Sequence, residues 1–444
     1  MGGGVAPTKH TKTVVVLGVA YGGTKGTQML AEGLPEDWRL IAIDRNSHSN
    51  HVYVLPRFAV LPGHEYKAFI PYTNVFLEND KPKRNPNHIF LKTEVTSIRP
   101  NHITISQPFP ELGIDSTEIA FDYALYALGA HLPAPMDLWG RDPREDVKPG
   151  DEPWTFNGFK NESCKWLQER QKAIEAAPTV LVVGGGALGI QFATDIKAVH
   201  PEKGVTLLHS RQQLLPRFSP EMHDEVRKAM ELQGIDLILG ERLDLSAIDP
   251  KTGTSKAVNA QGKRIVRTEK GREIAADLLL LCTGQKPNTG LLKTMDPSTI
   301  NSTSGQAYVQ RTMQLSNVPV PFGEPASPEA ASFKTPSEAS PYPNIFVVGD
   351  SADAFGAIQA GHTAYYQSEV AAKNILKLVK GSEEPLEHYA PGPPAIKVSL
   401  GLTRGVVQVG PEVTIKTDGV PDLHAPVMWP VYGIKVEKDE DMRQ

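Results

Sequence analysis

Thr179–Arg211 reads TVLVVGGGALGIQFATDIKAVHPEKGVTLLHSR. An apolar run, a glycine turn, a helix-like segment and a second apolar run follow without interruption, the layout of a nucleotide-binding βαβ unit. Gly184, Gly186 and Gly189 fit G-x-G-x-x-G. The first glycine permits the tight turn, the second lets a pyrophosphate approach the backbone, and the third packs helix on strand. Phosphates would rest on the N–H groups that open the helix near Ala187. A single such match also describes ordinary strand-to-helix turns, but here the layout recurs. Thr13–Asp44 carries the strand VVVL, the turn Gly18-Val19-Ala20-Tyr21-Gly22-Gly23, a helix-like segment and the strand LIAID. Ala20 occupies the place of the second glycine, where a methyl restricts backbone approach. Asp44 ends the second strand, where a carboxylate hydrogen-bonds a ribose 2′-OH; capping of the next turn is the plainer alternative.

The chain has 444 residues, 40% hydrophobic and 22% charged, enough for two or three domains with full cores. A net charge of −5 gives no global reason to bind nucleic acid or an anionic membrane. Two cysteines, Cys164 and Cys282, stand far apart and outside any CxxC spacing, which excludes a disulfide scaffold and a Cys-rich zinc site and points to a reducing compartment. His48, His51 and His64 have no metal-ligand spacing, so no metal is expected. The start MGGGVAPTKHTKT lacks the apolar region of a signal peptide, and no apolar run reaches the roughly 18 residues of a membrane span. Gly2 follows Met1 as myristoylation requires, but Ala6 stands where Ser or Thr belongs, so a disordered glycine-rich tail is the favoured reading.

Strand-like pieces follow the first unit at IFLKTEVTSI, HITIS and IAFDYALYALGA. Residues 133–160, rich in proline, glycine and charge, read as a linker, and a helix from about Glu162 to Ala176 leads into the second unit. That unit ends in His209, Ser210 and Arg211 with no acid. A carboxylate there would repel the 2′-phosphate of NADP and Arg211 would pair with it, so the reading favours NADPH, with a solvated Arg211 and NADH as the alternative. A helix at Pro220–Gln233 and strands near Asp236–Leu239 and Ile265–Arg267 come next. ADLLLLCTG then parallels DYALYALGA: an aspartate, an apolar strand, a small-residue end with glycine. Residues 313–342 form a proline- and serine-rich tract, and NIFVVGD closes a late strand at Gly349-Asp350.

Two fingerprints, the ALG and CTG strand ends and NIFVVGD together resemble the two-dinucleotide-binding flavoprotein reductases. Within them the chain is similar to the apoptosis-inducing-factor-like group, of the ferroptosis-suppressor type. SNHVYVLPRFAV, KAFIPY, VLVVGGGALGIQFATDIKAVHPEKGVTLLHSR, LLLLCTG and HYAPGPPAIKVSLGLTRG carry the resemblance nearly end to end. It implies an α/β fold, glutathione-reductase-like, with two Rossmann-like domains: a discontinuous FAD domain (10–150 and 285–385), an inserted NAD(P)H domain (151–284) and a small C-terminal region (386–444). FAD would sit at Gly18, Ala20, Tyr21, Gly22 and Gly23, with Asp44 at its ribose, Arg57 near the flavin, the Val95 backbone at the adenine, and Gly349 and Asp350 at the ribityl or pyrophosphate part. NAD(P)H would sit at Gly184, Gly186 and Gly189, with Arg211 at the 2′-phosphate.

Three departures stand out: Ala20 for glycine, ALG for ATG, and Gln191 at the position where the family carries a glutamate facing nicotinamide and flavin. Gln191 donates and accepts hydrogen bonds but carries no charge, and it is the candidate catalytic residue. The CxxxxC of disulfide reductases is absent from the helix after the first turn. The expected chemistry is hydride transfer from NAD(P)H C4 to flavin N5, then electrons to a small acceptor, a quinone foremost and dioxygen as a leak. The alternatives are a redox-linked signalling flavoprotein and a flavoenzyme acting on a natural product. The expected location is the cytoplasm, with peripheral contact at a membrane, such as a mitochondrial or lipid-droplet surface, as its variant.

Overall fold

The computed structural model describes residues 11–79, 81–82, 85–140, 142–144, 151–249, 253–320 and 340–444. The lipidation question at Gly2, residues 145–150 of the expected linker and residues 321–339 of the proline- and serine-rich tract lie outside them.

The chain divides into two compact units that alternate along the sequence. Unit one takes the described residues of Met1–Ser49, Tyr72–Ala130 and Pro287–Gly392; unit two takes those of Asn50–Pro71, His131–Lys286 and Pro393–Gln444. In chain order, unit one starts with β1 (Thr13–Leu17), α1 (Gly22–Gly33) and β2 (Arg39–Asp44), and unit two with α2 (Leu55–Phe58). Unit one resumes with β3 (His88–Lys92), β4 (Val95–Arg99) and β5 (Tyr123–Tyr126). Unit two then runs through α3 (Lys160–Ala176), β6 (Thr179–Val183), α4 (Ala187–Val199), β7 (Gly204–His209), α5 (Pro220–Leu232), β8 (Asp236–Leu239) and β9 (Leu278–Leu281). Unit one closes with β10 (Tyr342–Val347) and α6 (Gly361–Val379), and unit two with β11 (Ala395–Ser399), β12 (Gly405–Val409) and β13 (Glu412–Lys416).

Unit one is built on a sheet in the order β10-β5-β1-β2-β3, all parallel, with Gln314–Leu315 added antiparallel at the β10 edge. All five residues of β1 are buried, as expected of a central parallel strand covered on both faces. Val15 lies opposite Ile41 on one side and Ala124 on the other. The unit-two sheet repeats the plan in the order β8-β7-β6-β9, again parallel.

The aspartates before β5 and β9 have the same task. Asp122 Oδ2 accepts the Thr13 N–H at 2.7 Å, and Asp277 Oδ2 accepts the Thr179 N–H at 2.9 Å and the Thr179 hydroxyl at 2.6 Å. Each acid caps the first amide of the neighbouring strand, which explains the repeated Asp-plus-apolar pattern.

The domain edges differ from those expected. Residues 50–71 belong to unit two because Val54, Leu55, Phe58, Ala59 and Phe69 are buried in one core with Val180, Ile190 and Val226. Part of the expected linker is packed: Met136 and Leu138 join that core, and Arg170 donates to the Pro143 carbonyl at 3.2 Å. From Pro393 the C-terminal strands also belong to unit two, through Val398, Leu400 and Val406. Among the described residues no helix is long and apolar enough to cross a membrane, and no group of three His, Cys, Asp or Glu side chains is arranged to hold a metal ion.

Candidate functional site

The two glycine turns have matching geometry. Gly18 (φ +83°) and Gly184 (φ +125°) have left-handed backbones, and a Cβ on them would lie 2.5 Å from the Ala127 carbonyl oxygen and 2.7 Å from that of Cys282. A Cβ on Gly23 would lie 1.9 Å from Gly18 O, and one on Gly189 also 1.9 Å from Gly184 O. Only glycine fits these four positions. Ala127 and Cys282 begin the ALG and CTG ends noted in sequence, so those strand ends are what the turns pack against.

Gly186 behaves differently: a Cβ there would meet nothing within 4 Å. The position that the fingerprint reserves for a close ligand approach is left open among the described residues, so the turn fits a bound pyrophosphate. Ala20 holds the equivalent place in unit one. Neither α1 nor α4 has an acidic residue in its first turn to compete with a phosphate. In unit one α6 begins beside α1, since a Cβ on Gly22 would lie 2.8 Å from the Ala364 carbonyl oxygen, and α6 too lacks an acid in its first turn. Two positive helix ends therefore converge beside the first turn. Tyr21 precedes α1 with φ 48° and ψ −108°, a strained conformation outside glycine, and its ring stands edge-on to Tyr365 at 6.4 Å.

Asp44 braces this turn. Its Oδ2 accepts the Val19 N–H at 2.9 Å and the Tyr72 hydroxyl at 3.3 Å, and its Oδ1 accepts the Asn46 N–H at 2.8 Å. Burial pushes the carboxyl above its ordinary range, opposed by the Val19 and Asn46 amides, Arg45 and Tyr72. A carboxylate offers about four acceptor positions and three are filled, leaving one on Oδ1 for a ribose hydroxyl. The Thr93 N–H donates to Asp44 O at 2.9 Å, which brings the start of β4 at Val95 to the same sheet edge. Gly349 (φ +74°) and Asp350 follow β10. The Gly349 N–H donates to Gln367 Oε1 at 2.7 Å, and Ser351 Oγ donates to Gly129 O at 2.7 Å. The carboxyl ends of β1, β5 and β10 thus bring together Gly18, Ala127–Gly129 and Gly349-Asp350.

In unit two, Gln191 is buried on α4 and its Nε2 donates to Ser399 Oγ at 3.1 Å and to the Tyr53 carbonyl at 3.4 Å. One turn later Asp195 pairs with Arg57 at 2.8 Å, both side chains fully buried. Arg57 also donates to Gly401 O at 2.6 Å and to Pro421 O at 3.1 Å. Burial raises the Asp195 carboxyl, and Arg57 pulls it back. The structure thus places Arg57 in unit two with its guanidinium engaged by an acid and two carbonyls. Arg211 is exposed after β7. The nearby acid Glu241 is taken up by Arg272 at 2.8 Å and the Thr268 hydroxyl at 2.9 Å.

Asp195 and Ser399 were not singled out in the sequence. Asp195 carried a local signal, a charge four residues after Gln191 on an otherwise apolar helix face; Ser399 carried none.

A profile of the pyridine nucleotide-disulphide oxidoreductase family matches residues 12–320. The chain is 40% identical over 437 residues to Fe-regulated protein 8 of Mycosarcoma maydis, covering 97% of each. It is 26% identical over 404 residues to ferroptosis suppressor protein 1 of Taeniopygia guttata, covering 89% of this chain and 88% of that one. Among solved structures it matches a water-forming NADH oxidase from Lactobacillus brevis bound to NADH, with a TM-score of 0.57 and 19% identity over 89% of this chain and 74% of that one.

Proposed function

We propose, for a chain that belongs to the pyridine nucleotide-disulphide oxidoreductase family, that electrons taken from NAD(P)H pass directly to a small quinone-like acceptor. Membership makes the chain an oxidoreductase that binds FAD and uses NAD(P)H. Bound FAD supplies the redox chemistry, accepting a hydride and giving up an electron pair. NAD(P)H, one proton and a quinone then balance to NAD(P)+ and a hydroquinone.

The observation that carries this reading is the state of the two thiols. Cys164 lies in α3 and Cys282 just after β9, neither in a disulfide. Burial raises the Cys164 thiol to about 11 and the Cys282 thiol further, so neither is a thiolate at neutral pH. The family name refers to a disulfide, yet this chain offers no dithiol relay, which supports direct transfer to a diffusible acceptor.

In the proposed site, Gly18–Gly23, Asp44, the Val95 backbone and Gly349-Asp350 hold FAD, and Gly184, Gly186 and Gly189 hold the pyridine nucleotide. Gln191 fixes the start of α4, and with it the turn that carries the nicotinamide cofactor. Arg211, exposed after β7 near an acid, Glu241, that Arg272 engages, supports use of NADPH at least as well as NADH. Peripheral contact with a quinone-bearing membrane belongs to the same proposal.

The test is a Cys164→Ala/Cys282→Ala double variant, conservative at 282 because the first turn already has Ala127 at the equivalent place. Quinone-dependent NADPH oxidation by the FAD-loaded variant should match that of the parent. Loss of turnover with full flavin content would sink the direct route.

A further inference from the structure

The residue between the fingerprint glycines is held from both sides. The Gly185 N–H donates to His209 Nδ1 at 3.1 Å, and Gly185 O accepts the Leu215 N–H at 2.9 Å. A Cβ on Gly185 would lie 2.6 Å from His209 Cγ and 2.6 Å from Leu214 Cδ2, so the imidazole and the leucine lie against bare backbone. The segment between, Ser210 to Leu214, leaves the end of β7 and returns to the same glycine. Its far end is pinned again, because the Leu214 N–H donates to His223 Nδ1 at 3.0 Å. The carboxyl end of β7 is anchored through its backbone, with Glu241 N–H on His209 O at 3.1 Å and Gly240 N–H on Arg211 O at 3.0 Å.

We propose that His209 is a positioning residue for the pyridine nucleotide, a neutral staple that locks the phosphate-facing turn to the loop where the adenosine ribose is read. The proposal rests on the reading of unit two as the NAD(P)H unit. Where a dinucleotide fold usually places an acid that touches the ribose, this chain places an imidazole that touches the turn. Because Nδ1 accepts an amide N–H, the ring carries its proton on Nε2, a tautomer assigned from the hydrogen bonding. Protonation of Nδ1 would set one N–H against another and release Gly185.

The surroundings keep the ring neutral. Burial lowers its pKa first; the Gln213 backbone opposes, and Arg211 and His223 beside it lower it further. The carboxylate of Glu241 is engaged by Arg272 and Thr268. Nucleotide affinity should therefore be flat at neutral pH and fall as acid titrates His209, below the ordinary imidazole value of about 6.5.

The test uses FAD-loaded protein and calorimetric titration with NADP+ and NAD+, which reads binding without turnover. His209→Ala should weaken both nucleotides by roughly three- to ten-fold, the scale of one hydrogen bond. His209→Asn, which offers an acceptor oxygen near the Nδ1 position, should recover most of the loss and remove the decline in NAD+ affinity below about pH 6.5. Should the alanine variant fail to fold, His209→Gln serves in its place, because its acceptor lies nearer Nε2 and should not rescue. Equal affinity in parent, Ala and Asn variants overturns the staple, as does a pH decline in NAD+ affinity that persists in the Asn variant. Failure of the parent to bind either nucleotide would instead overturn the reading of unit two, so the two failures are distinguishable.

Discussion

Asp44 and Gln191 are both polar groups inside apolar surroundings, and each is fitted to its partners. Asp44→Ala removes the acceptor of the Val19 N–H in the first turn together with the free position on Oδ1. FAD affinity should fall on the order of ten-fold, about 1.4 kcal/mol, and the purified variant should contain less flavin per chain; full loading would contradict the assignment. At Gln191 the amide nitrogen faces a carbonyl, so the family's glutamate could not make the Tyr53 contact while ionised. In Gln191→Glu, burial would raise the folded-state pKa of the new carboxyl above its unfolded value of about 4.3. Stability relative to the parent is then best below that value and is lost as pH rises through the folded pKa. Melting temperatures of the two proteins should diverge from about pH 5 to about pH 8; a constant difference would show that the carboxyl is solvated. Gln191 itself was legible as a departure from a pattern. The reason for it was not, because Tyr53 and Ser399 lie 138 and 208 positions away.

The strand-turn-helix elements could be read from local sequence because an apolar run, a left-handed glycine and a helix start must be adjacent in the chain. The strands of Asp236–Leu239 and the helix starting at Pro220 fall where the pattern placed them. The Arg57–Asp195 pair shows what local patterns miss: a cation on the short α2 meets an acid on α4 only after the chain has folded. Removing one partner strands a buried charge, at a cost of about 3–5 kcal/mol, whereas replacing both by apolar residues is far milder. Asp195→Asn and Arg57→Met should each lower the melting temperature by more than Arg57→Met/Asp195→Leu does. A double variant that loses the sum of the two singles would show that the charges do not act as a pair.

Over the whole chain, the resemblance implied a two-piece FAD domain with one insert and a separate C-terminal region, whereas each compact unit takes three stretches of chain. Whether residues 50–71 follow the sheet before them or the one after them depends on which core buries Phe58 and Phe69, and both cores are apolar. The repeated turn, the repeated aspartate cap and the scarcity of thiols are properties of the entire molecule, and together they describe a carrier of an electron pair with no internal disulfide. The most direct measurement is therefore anaerobic: FAD-loaded protein, limiting NADPH and excess water-soluble quinone, with hydroquinone counted against NADPH consumed. One hydroquinone per NADPH is expected, with no NADPH oxidation beyond stoichiometric flavin reduction when the quinone is left out. Sustained NADPH loss without quinone, or a flavin that is reduced yet yields no hydroquinone, would contradict it.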